Sequence, residues 1–178
     1  MRSPTPDPDA LRQVLHDHIT GRAMWDEAPA LFLAGPLDVG PILWQVPLPE
    51  EAWGHPATVI THLAASLEAE PEAGRQIRDG APPLWAVALR YEGFAAKVTT
   101  EELRARAAGA AFGLRPPAVT GQTPGSVETR TLAALDVTGS TYELVQTRGS
   151  DEVTERRDSV GIGRIPAALR RLVAALQG

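Results

Sequence analysis

Four histidines, no cysteine and several adjacent acids are the residues of this 178-residue chain that could do chemistry. The absence of cysteine excludes disulfides, zinc–thiolate sites, iron–sulfur clusters and thiol catalysis. His16 and His18 flank Asp17 on a helical pattern, which turns their side chains in different directions. His18 falls on the apolar stripe and reads as a core or boundary residue. His55 and His62 stand seven apart, two helical turns, which is too far to chelate an ion without further ligands. Neither an i, i+4 histidine pair nor HExxH occurs, so no metal ligand is assigned. Ser140, Ser150 and Ser159 lie in or near turns, where serine is ordinary, and no GxSxG elbow occurs. The acid pairs Asp26-Glu27, Glu50-Glu51 and Glu101-Glu102 suit solvated loops and first helical turns. No catalytic residue and no cofactor follow from these patterns, which point away from an enzyme.

Gly161-Ile162-Gly163-Arg164-Ile165-Pro166 opens a helix in the manner of a phosphate-binding turn. Pro166 replaces the third glycine, and only one helix follows, so a dinucleotide fold is rejected. A weaker function survives, with Arg164 beside a helix N-terminus as an anion contact. Four tryptophans stand out in a chain with few aromatics. Trp85 lies in an apolar run and reads as core. Trp25 and Trp53 occupy connectors beside acids, in WDEAP and PEEAWG. They either pack over the sheet or form an aromatic recognition patch. The candidate binding residues are therefore Trp25, Trp53 and Arg164.

Patterning supplies the elements that must position these groups. Residues 1–6 read as a disordered tail, and residues 7–178 as one domain. Asp7 caps a helix with Pro8 at its first position, a place where the missing N–H costs nothing. Leu11, Val14, Leu15, His18 and Ile19 form its apolar stripe, and Gly21 ends it. Ala30–Ala34 and Pro41–Val46 read as strands around a loop at Gly35–Gly40. Pro56 opens a helix to about Glu68, and a short helical piece is expected near Glu72–Arg78.

Leu84–Leu89 is continuously apolar, as a central strand covered on both faces should be. Arg90-Tyr91-Glu92 carries it outward. A helix is expected over Thr100–Ala111, and a proline-rich loop at Gly113–Gly125. Ser126–Asp158 holds three extended runs and two turn signals, Thr138-Gly139-Ser140 and Gly149-Ser150-Asp151, which predict a β-meander. Its outer run, Glu152–Asp158, is charged, as a guarded edge is. A last helix at about Pro166–Leu176 buries Leu169, Leu172, Val173 and Leu176. The fold class predicted is α+β, a mainly antiparallel sheet with a C-terminal three-stranded meander and helices packed on one face.

The net charge of −5 argues against a nucleic-acid partner held by phosphate neutralisation. No apolar run approaches the roughly 20 residues of a membrane span, so no membrane partner is expected and the cytoplasm is the default address. Lys97 is the one lysine, there is no asparagine, and arginine supplies the remaining positive charge. WDEAPALFL, LPEEAWG, LWAVALRYEGFA and ETRTLAALDVTGSTYELVQTRG together resemble a group of uncharacterised proteins of GC-rich actinobacteria and their phages, over residues 24–176. The resemblance implies a provenance and brings no catalytic residues with it. A complete meander without a chemical signature points to a non-catalytic accessory domain that binds a protein partner through its sheet edge or aromatic connectors. The alternatives are a small structural component of a phage or phage-like particle, and an enzyme whose site forms only in space.

Overall fold

The computed structural model describes residues 5–80, 83–96, 126–158 and 163–178. Its elements run α1 (Pro8–Thr20), β1 (Ala30–Leu37), β2 (Gly40–Gln45), a 3-10 turn (Glu50–Ala52), α2 (Pro56–Ala69), α3 (Pro71–Gly80), β3 (Ala86–Ala96), β4 (Ser126–Asp136), β5 (Thr141–Thr147), β6 (Val153–Arg157) and α4 (Arg164–Gln177). The helix and proline-rich loop expected between residues 100 and 125 lie outside the described residues.

The six strands form one sheet in the order β2-β1-β3-β4-β5-β6, and every neighbouring pair is antiparallel. β4 to β6 form a meander, with β3 antiparallel beside β4. The run before it, β1 and β2, is a hairpin laid against the other side of β3. The chain reaches β3 only after α2 and α3, which is why β3 neighbours β1 rather than β2. The central position predicted for the run at residues 84–89 is therefore correct, and Ala86, Val87, Ala88 and Leu89 are wholly buried.

Alternation along the strands sends side chains to two separate cores. Leu31, Leu33, Val87, Leu89 and Leu135 face α2 and α4. Phe32, Ala34, Ala88, Leu132 and Leu144 face α1. Helices were expected on one face; α2 and α4 do share a face, but α1 lies on the other. The reason is the continuous apolar run itself. A strand that is hydrophobic on both sides needs a cover on both sides. α1 supplies the second cover with Leu11, Leu15 and Ile19, spaced four apart and fully buried. Each contributes roughly 1.5–3 kcal/mol of burial.

Local chemistry explains the element ends. The Asp7 carboxylate accepts from the Asp9 and Ala10 N–H groups, at 3.0 and 3.2 Å, and so caps α1. Pro6, assigned to the tail by sequence, is already buried. The β1–β2 turn is tighter than expected, only Asp38 and Val39, because Gly40 takes φ 126° and turns the chain back at once. Pro36 and Pro41 face each other across this hairpin. The β4–β5 turn is built by Asp136, whose Oδ1 accepts from Thr138 N, Thr138 Oγ1 and Ser140 N at 2.7–2.9 Å. Burial and the Asp136 charge push the Tyr142 hydroxyl beside it up to about 12.

Candidate functional site

Among the described residues, polar side chains gather at two places in particular. The first lies on the α1 face, where the connector from Arg22 to Ala28 folds down over β3 and β4. Arg90 was expected to lead the strand outward. It is buried instead, because this connector brings it partners. Arg90 Nη1 donates to Glu27 Oε2 at 2.7 Å and Nη2 donates to the Ala28 carbonyl at 3.1 Å. Arg22 holds the same carboxylate with two N–H groups, its Nε at 2.7 Å from Oε2. Arg130, at 0% exposure, donates to Glu92 Oε1 at 3.0 Å, and its Nη1 and Nη2 reach the carbonyls of Arg22 and Met24. The Trp25 ring stacks on the Arg130 guanidinium at 4.5 Å and lies 5.6 Å from that of Arg148.

These charges shape one another. The hydrogen bonds from Arg22, together with the charges of Arg90 and Arg130, hold the Glu27 carboxyl below its usual range despite partial burial. Burial, and then the charges of Arg22 and Arg90, depress His18 to about 4, so it is neutral at physiological pH. Its ring sits edge-on to Phe32 at 4.6 Å, and its Nε2 is buried with no hydrogen-bond partner.

At the outer margin of this network, carboxylate oxygens of Asp26, Glu92 and Glu128 lie within 4.8 Å of one another. Arg148 bridges two of them, with Nη2 2.9 Å from Asp26 and Nη1 2.7 Å from Glu128. Arg130 serves the third. The positive charge a metal would bring is therefore already supplied by guanidinium groups. Asp26 takes φ 64°, a left-handed conformation, and its N–H donates to Glu92 Oε2 at 2.7 Å. The whole arrangement clamps the connector to the sheet.

The second place is a groove of about 400 Å³ on the opposite face, between the first two turns of α2 and of α4. Ala57, Ala167 and Ala168 line it beside Thr58, Thr61 and His62, and Arg164 and Arg171 complete the lining. The groove exists because the helices meet here on small side chains. Arg171 is engaged by Glu68 through two hydrogen bonds, at 2.9 and 2.5 Å. Arg164 is exposed and makes no ion pair among the described residues. Neither helix carries an acid in its first turn or a side-chain N-cap, so these two features do not offset the positive helix ends.

The three candidate residues are thus not brought together. Trp25 belongs to the clamp on the α1 face. Trp53 is half-buried against the core of the α2–α4 face. Arg164 stands at the groove. The clamp itself was missed, although its members were in view. Arg90 and Arg130 lie within apolar strand runs at positions whose alternation places them on the inner, α1-facing side, and an inward arginine in a strand is a signal of a buried partner. Comparison with protein-family models, curated proteins and solved structures finds no match for this chain.

Proposed function

We propose that the chain is a non-catalytic protein-interaction domain, and that the α2–α4 groove receives an acidic segment of its partner. The observation that carries this is Arg164, which has no ion pair among the described residues, on the lining of a groove with three alanines. His62 and Arg171 stand on the same lining, and none of its described residues is acidic. An apolar side chain fits the alanine floor, and carboxylates beside it meet Arg164 and the two uncapped helix starts. The alternative, an enzyme, would use the same histidine and arginine, with His62 as its acid or base. We place the domain in the cytoplasm of a GC-rich actinobacterium or one of its phages, on the resemblance and the arginine-dominated charge.

The test is affinity capture with the immobilised chain. Arg164→Glu should weaken recovery of the partner at least tenfold, about 1.4 kcal/mol. Trp25→Ala and Trp53→Ala should each retain it. Recovery undiminished in Arg164→Glu, or lost only in the tryptophan variants, would move the surface elsewhere.

A further inference from the structure

The outer edge of β2, which pairs with no strand among the described residues, has a donor pattern that matches itself. Val46 N–H donates to the Leu31 carbonyl at 2.8 Å, and on the other side of β1 the Ala34 carbonyl accepts from Trp85 N–H at 2.7 Å. In an antiparallel ladder, opposed residues exchange bonds at alternate positions only. Together with the register, this makes Leu31 with Val46, Leu33 with Trp44 and Gly35 with Ile42 the bonded pairs. Leu43 and Gln45 therefore turn their N–H and C=O groups away from β1, to the open side. Pro41 and Pro47, the next positions of the same phase, have no N–H to offer. The outward pattern is proline, Leu43, Gln45, proline, and it is symmetric about Trp44.

We propose that two copies of this chain pair through β2, antiparallel and about a two-fold axis at Trp44, so that their sheets become continuous. In this register Leu43 of each copy exchanges both bonds with Gln45 of the other. Pro41 meets Pro47 at each end of this short ladder, and their carbonyls, which find no N–H opposite, stay with solvent. The chemistry of the edge agrees. Gly40–Val46 holds no charged residue, so no like charges meet across the axis. The opposite edge, β6, exposes Glu155, Arg156 and Arg157, the charge by which edges are kept apart. Trp44 is half-buried against the α2–α4 core, and at the axis its ring would cover its own counterpart. This edge is separate from the groove, so either surface can fail without the other.

Sedimentation velocity of the full chain from about 1 to 100 µM should show a dimer that dissociates on dilution. Gln45→Pro removes one outward N–H and no bond to β1, so it should be monomeric across that range, with the circular dichroism of the wild type. Arg157→Pro, on the other edge, should remain dimeric. In the wild type, hydrogen exchange at Leu43 and Gln45 should slow as concentration rises, while Ile42 and Trp44 exchange at a constant rate. A monomer at every concentration, a closed ring of more than two copies, or unchanged dimerisation in Gln45→Pro would each overturn the proposal. Should Gln45→Pro not fold, concentration-independent exchange at Leu43 and Gln45 overturns it alone.

Discussion

His18 shows how much one buried nitrogen can impose. Its proton affinity is lowered in the folded state, to about 4, while an unfolded histidine titrates near 6.5. Between these values the unfolded chain binds the extra proton, so stability falls as pH drops through this window and levels off below it. The groups that face the ring are Arg22, Arg90, Arg130 and Glu27, and three of the four are cations that oppose protonation. Replacing His18 by leucine should remove this slope. Between pH 7 and pH 4 the melting temperature of the wild type should fall further than that of His18→Leu. Parallel pH profiles would show that the ring is not buried as described. The reading of His18 as a core or boundary residue followed from its place in an apolar stripe. Its depressed basicity did not, because Arg22 is four residues away on the connector and Arg90 seventy-two positions along the chain.

Elements were read from periodicity where they bury a single stripe, and α4 is the clearest case. Ala168, Leu169, Leu172, Val173 and Leu176 are all buried, at the spacing the sequence shows. Leu172→Asp should unfold the protein or nearly so. The lost burial costs roughly 1.5–3 kcal/mol, before the penalty for placing a charge in that core. A normal melting temperature would show that α4 does not dock. Turn chemistry was equally legible at Thr138-Gly139-Ser140, where Gly139 takes φ 98°, and at Gly149, with φ 82°. The hairpin at residue 38 was less so. Its strands run through Pro36, which reads as a loop residue, and Pro41, which reads as a strand start. Both fall at positions of the ladder that make no bond between β1 and β2, where a missing N–H costs nothing.

At the scale of the whole molecule, one sheet is shared by two cores, so damage to either face should be felt in a single transition. Leu15→Ala strikes the α1 core and Ile60→Ala the α2–α4 core; both side chains are fully buried. Each should cost about 2–5 kcal/mol, and the double variant should show their sum to within about 0.5 kcal/mol, because the two share no contacts. Tryptophan fluorescence and circular dichroism should report the same midpoint. Separate transitions would mean that the faces unfold independently. None of the described helices is long and apolar enough to cross a membrane. By itself the sequence determined the α+β class, the meander, the central strand and the capped first helix, because each depends on residues near one another in the chain. Only the tertiary structure decided the second helical face, the arginine–glutamate clamp, the groove at Arg164 and the self-matching phase of the β2 edge. Each of these joins residues far apart in sequence, and periodicity carries no information about which distant partner a side chain or a backbone N–H will meet.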